Sequence, residues 1–214
     1  GPDPMLARPV DFAERASAER QTIPHTGSLS TRMMLIAAAW IAVLLLGGGI
    51  ALDKTLTGQV TRNFDAQLGN LLNGMIASAE VGPDGEVFLN RPLGDQRLLE
   101  PNSGLYWQIR GQGHDDFPSR SLWDRSIDVR AGHTDKEPHA YDSTQFPEEP
   151  LRVMERSIQL PGSDTVWWFT VAEKRAGLDE QIGRVRRILL RSFAVLGLGL
   201  FVMAMLQTWL GLGP

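Results

Sequence analysis

Imidazole and carboxylate side chains gather in one stretch of this 214-residue chain. His114, Asp115 and Asp116 are consecutive, and His133, Asp135, Glu137 and His139 follow at alternate positions. Asp124, Asp128, Asp142, Glu148 and Glu149 extend the acidic run, interrupted by Arg120, Arg125, Arg130 and Lys136. Both residue types are divalent-metal ligands, and a free imidazole titrates near neutral pH. Alternate residues of a loop converge on one ion only if a scaffold folds them together, so no metal-ligand set is assigned. The stretch is read as a candidate ligand or partner surface made of Asp115, Asp116, Trp123, Asp124, His133, Asp135, Glu137, His139, Glu148 and Glu149. Such a surface could draw divalent cations, respond to pH or receive a basic protein.

Other chemistries find little support. There are no cysteines, so neither thiolate catalysis nor a disulfide framework is available. No serine sits in a GxSxG turn, and neither GxxxxGK[ST] nor GxGxxG occurs. No catalytic residue and no cofactor site is expected within this chain. The formal net charge of -4 and the absence of a clustered basic face argue against nucleic acid.

Two apolar runs position everything else. Met33 to Leu52 is twenty residues without a charge, and Ser192 to Leu212 is a second uncharged run. At about 1.5 Å of rise per residue, each as a helix matches a hydrocarbon core of about 30 Å. Both are read as transmembrane helices. Gly49, Ile50 and Ala51 resemble a signal-peptidase site, but the first run exceeds the usual apolar region and starts far from the N-terminus, so it is read as an uncleaved anchor.

The expected organisation is a cloning scar (Gly1 to Pro4) and cytoplasmic tail over 1–32, a first span over 33–52, an extracytoplasmic domain over 53–187, a second span over 188–212, and a start of a linker at 213–214. Arg8, Arg15, Arg20 and Arg32 put the N-terminus inside by the positive-inside rule. Arg184, Arg186, Arg187 and Arg191 would then lie outside, against that rule, although long translocated domains largely escape it.

Within the domain, Val60, Phe64, Leu68, Leu71, Leu72, Met75, Ile76 and Ala79 recur at spacings of three and four, predicting an amphipathic helix over Thr55 to Glu80. Leu178, Ile182, Val185 and Leu189 make a matching stripe that runs into the second apolar run. Strands are expected at Glu86 to Asn90, Ser103 to Arg110, Ser119 to Trp123, Leu151 to Leu160 and Thr165 to Ala172. Pro161 to Asp164 reads as a hairpin turn pairing the last two antiparallel, with the last central in the sheet. Asp124 to Pro150 is expected to be a long polar loop. The aromatic residues on these strands read as core, with the outward member of Trp167 and Trp168 a contact residue. The fold class is thus an α+β membrane protein, with two membrane helices flanking an antiparallel sheet of about five strands.

With that layout, SGLYWQI (Ser103 to Ile109), SRSLWD (Ser119 to Asp124), LRVMERSIQLPG (Leu151 to Gly162) and WFTVA (Trp168 to Ala172) resemble the sensor region of Gram-negative two-component sensor histidine kinases, the PhoQ-like group above all. The resemblance implies a PAS-like (PDC-type) periplasmic domain in a multi-pass protein of the inner membrane, paired as a homodimer through its membrane and juxtamembrane helices. Gly211 to Pro214 resembles the entry to a HAMP linker. Kinase domains beyond it would use ATP and magnesium and act on a response regulator, so this portion would itself be no enzyme. The acidic patch of cation-sensing relatives is not matched cleanly, because Arg125, Arg130 and Lys136 interrupt the acids. A periplasmic protein regulator is at least as good an expectation as a cation. The alternative is a membrane-anchored periplasmic binding or scaffold module without kinase output.

Overall fold

The computed structural model describes residues 26–130 and 135–211. By Cα proximity the described residues divide into two compact units, one within residues 51–191 and one made of those up to residue 50 together with those from residue 192 on.

The second unit contains two apolar helical stretches. They belong to α1 (Thr26–Ser78) and α2 (Ala176–Gly211), both long and apolar enough to cross a membrane, with the apolar windows unburied by protein. The stretches touch each other: Phe193 lies against Gly49, where a Cβ would meet the ring at 3.8 Å, and the Thr208 hydroxyl lies 3.0 Å from the Met34 sulfur.

The first unit is built on a five-stranded antiparallel sheet. After α1 come β1 (Ala79–Val81) and β2 (Val87–Leu89), then β3 (Leu105–Gly111), β4 (Phe117–Pro118), β5 (His139–Ser143), β6 (Leu151–Gln159) and β7 (Val166–Lys174), which leads into α2. β1 and β2 form a separate hairpin; the others lie in the order β4-β3-β7-β6-β5. As its unbroken apolar run predicts, β7 is the middle strand.

One face of the sheet packs on the helices. Phe64, Leu68, Leu72 and Met75 of α1 and Leu178 of α2 are buried against Leu105, Trp107, Ile109, Trp167, Phe169 and Val171. These are the stripe and alternate strand positions that the periodicity predicts. Burying each such side chain stabilises the fold by about 1.5–3 kcal/mol. That packing outweighs Gly58, Gly69 and Gly74, which each weaken α1 by about 1 kcal/mol relative to Ala. Gly69 faces the sheet, with the Met154 sulfur 3.5 Å from where its Cβ would stand.

The opposite face is buried too. A second cluster of Tyr106, Leu122, Ile127, Phe146, Leu151, Val153 and Ala172 lies there, beneath the chain between β4 and β6. The stretch from Asp124 to Pro150, expected as a polar loop, is therefore a cover whose few apolar residues point inward. It also contains β5, which pairs with β6 from His139↔Glu155 to Ser143↔Leu151. In this edge strand His139, Tyr141 and Ser143 are half-buried while Ala140 and Asp142 are exposed. A single aromatic anchor and polar neighbours suit an edge, and make a weak sequence signal.

Two further expectations are corrected. Ser119 to Trp123 is not a strand but a 3-10 turn over Arg120–Leu122, preceded by the two-residue β4. Pro118 lacks an N–H, and Ser119 closes the ladder instead. Its N–H donates to the Trp107 carbonyl at 2.8 Å and its hydroxyl accepts from the Trp107 N–H at 3.1 Å. The α1 helix stops at Ser78 rather than Glu80, because Ala79–Val81 pairs with Val87–Leu89 across the VGPDG turn. Gly85 there has φ +80°, a conformation that glycine adopts without strain. The strand expected at Glu86 to Asn90 thus exists, outside the main sheet.

Candidate functional site

The covered face of the sheet carries an unusual set of side chains. Register places Gln108, Thr170, Glu155 and His139 side by side across β3, β7, β6 and β5. Gln108, Thr170 and Glu155 are fully buried. Burying such groups is costly unless they are bonded, and most of them are. The Gln108 amide donates to the Ile127 carbonyl at 2.8 Å and accepts from the Ile127 N–H at 2.9 Å, pinning the cover to the sheet. Glu155 Oε2 accepts from the Tyr141 hydroxyl at 2.8 Å and from the Arg130 N–H at 3.3 Å. The Thr170 hydroxyl, between them, has no hydrogen-bond partner among the described residues.

Two arginines clamp the cover from outside. Arg125 lies over the rings of Tyr106 (4.9 Å) and Phe146 (4.2 Å), and bonds both Glu149 (3.1 Å) and the Tyr106 hydroxyl (2.9 Å). Burial works against its charge, yet the bonds to Tyr106 and Glu149 outweigh burial and raise its pKa. Arg130 stacks on Tyr141 at 4.1 Å. Burial, reinforced by the hydrogen bond to Glu155, pushes the Tyr141 phenol well above the usual tyrosine range.

A third set reaches the helices. Arg152 on β6 grips both oxygens of Asp65 on α1 (2.8 and 2.7 Å) and also reaches Asp142 on β5 (3.1 Å). Asp142 in turn holds Arg175 at the end of β7 (2.6 Å), and Arg175 holds Asp179 in the first turn of α2 (3.1 Å). One carboxylate on the edge strand therefore joins a chain of ion pairs that ends on both helices.

The candidate surface residues do not gather at one point. Asp116 is tied to Arg110 by two bonds of 2.9 Å, Glu149 belongs to the Arg125 clamp, and Asp135 lies 2.6 Å from His139. Asp115, Asp124, Glu137 and Glu148 are exposed. His133 lies outside the described residues. His114, 3.0 Å from Glu86 and packed 4.8 Å from the Trp167 ring, belongs to the domain's other end. Among the described residues no three acids or histidines come together as a metal site. Trp123 is 68% exposed and holds φ 58°, a conformation that costs a tryptophan strain. Sequence reasoning missed Gln108, Thr170 and Glu155; their only signal was a polar residue in the middle of each of three strands.

A family model described as two-component sensor kinase N-terminal matches residues 41–185, well over half of the chain. The chain belongs to this family. It is a sensor region of a two-component sensor kinase, and the matched residues include the sheet, its cover and the ion-pair chain. No curated protein and no solved structure matches it. In the sensor domain a helix layer and a cover layer thus lie on opposite faces of one sheet.

Proposed function

We propose that this is the signal-sensing and transmembrane-signalling portion of a sensor histidine kinase of the PhoQ-like group from a Gram-negative bacterium. Residues 33–52 and 188–212 cross the inner membrane, and residues 53–187 form a PAS-like (PDC-type) domain in the periplasm. The protein pairs as a homodimer through its membrane and juxtamembrane helices. A periplasmic ligand or protein regulator acts on the cover between β4 and β6, over the surface that includes Trp123, Asp124, Glu137 and Glu148. The response passes to HAMP and kinase domains, which use ATP and magnesium and phosphorylate a response regulator.

The observation that carries this reading is that α1 and α2 each hold an apolar run and a stripe buried under the sensor sheet within one unbroken helix. A displacement of β5 alters Asp142, and with it the Arg152 to Asp65 and Arg175 to Asp179 pairs. Both helices feel it through these side chains. An effector needs only a few kcal/mol of differential affinity to shift such a two-state balance.

Single cysteines test it in cells. A cysteine at Ser126 is expected to react with a membrane-impermeant maleimide in intact spheroplasts, and one at Ala7 only after lysis. Cysteines along Val60 to Ile76 are expected to cross-link between copies with helical periodicity. Labelling of both ends from outside, or cross-links without periodicity, would overturn the topology or the dimer respectively.

A further inference from the structure

The arginines that break the positive-inside expectation share a structural arrangement. Between Gln181 and Arg191 the chain has four arginines and no acid, in a sensor domain that is otherwise acidic. Arg186 turns toward α1 and pairs with Asp53 at 3.1 Å. At 100° per residue, Arg184, Arg187 and Arg191 fall within about 60° of one another on the helix, more than 90° from Arg186. All three are exposed. Arg184 has only a long contact to Glu180 (3.7 Å), and Arg187 and Arg191 form no ion pair among the described residues.

From Arg184 to Arg191 is about 10 Å along the helix, on the order of the depth of one headgroup layer, and the uncharged run begins at the next residue. We infer that Arg184, Arg187 and Arg191 form a docking stripe for the phosphates of anionic phospholipids in the outer leaflet of the membrane that α2 enters. Guanidinium forks bind phosphate oxygens in pairs, whereas zwitterionic headgroups offset the same phosphate with their own ammonium. Arg186 serves a different end, tying α2 to α1. The stripe rests on the proposed membrane reading, and it adds a lipid class and named residues to it.

The test uses the full chain in nanodiscs of phosphatidylcholine with a minor share of phosphatidylglycerol. The lipid retained by the protein is then measured by native mass spectrometry at low and high salt. Retained phosphatidylglycerol is expected to be enriched about fivefold over the bulk at low salt and less at high salt. The enrichment should vanish in R184Q/R187Q/R191Q, fall to an intermediate level in the corresponding triple lysine variant, which keeps the charge without the forks, and persist in R91Q/R120Q. Equal retention by wild type and the triple glutamine variant, with both inserted, overturns the stripe while leaving the membrane reading intact. Failure of the wild-type chain to enter discs overturns both.

Discussion

The Asp65 to Arg152 pair fastens α1 to the sensor sheet, and its worth can be worked from its surroundings. The guanidinium fork meets the carboxylate in two bonds of 2.8 and 2.7 Å, with the side chains 16% and 21% exposed. Exposed pairs contribute roughly 0.2–1 kcal/mol, and hydrogen bonds to charged groups with little solvent about 1.5–3. The geometry and low exposure place this pair near about 2 kcal/mol. Asp65→Asn should cost about that much. Arg152→Met leaves the largely buried Asp65 carboxylate without its partner and removes one of the two arginines on Asp142, and should cost about 3 kcal/mol, lowering the unfolding midpoint by roughly 10 °C for a domain of this size. The measurement is a double-mutant cycle, with unfolding of the chain in mild detergent followed through its tryptophan fluorescence. A coupling energy of about 2 kcal/mol is expected. A coupling below about 0.5 kcal/mol would show an ordinary surface bridge, and the idea that it carries displacement from β5 to α1 would lose its physical basis.

Gly111→Ala should be among the most damaging small substitutions, because its Cβ would stand 2.3 Å from the ring of the fully buried Trp167. Overpacking there should cost about 1–3 kcal/mol in equilibrium unfolding, and shrinking the ring with Trp167→Phe should recover part of it. Tyr141→Phe should cost about 1 kcal/mol near neutral pH by removing the bond to Glu155. The Tyr141 pKa is raised in the folded state, so its contribution is fully present below about pH 10 and fades as pH climbs through the folded value. The wild-type advantage over Tyr141→Phe should therefore shrink above that pH, and denaturation midpoints taken from neutral to alkaline pH check it. Trp123→Gly should raise the midpoint slightly, by about 0.5–1 kcal/mol of stability, since relief of strain at φ 58° exceeds the entropy that glycine loses. A loss of stability there would show that the indole packs on the domain instead of standing out.

Much of this architecture is legible in the residues. The stripe from Val60 to Ile76 could bury itself on only one face, and the PGSD turn dictates the β6 and β7 hairpin. The covered face is harder to foresee. Glu155 in VMERS and Gln108 in YWQIR are polar residues inside strands, and an isolated strand does not reveal that a later segment will fold over them. The cover gave little warning, since Leu122, Ile127 and Phe146 are spaced too irregularly for any period. β5 was lost for the same reason, and the ion-pair chain through Asp142 depends on contacts up to 87 residues apart.

The double hydrogen bond between Gln108 and Ile127 has a consequence for how such a sensor can diversify. A side-chain amide imitates a peptide group, so Ile127 is attached to the sheet without becoming a rung of its ladder. Residues inserted or deleted between Ile127 and β5 need not shift any strand register, whereas the same change inside β5, β6 or β7 would turn side chains to the wrong face. That part of the cover can thus change in length while β6, β7 and the helices beneath them keep their packing.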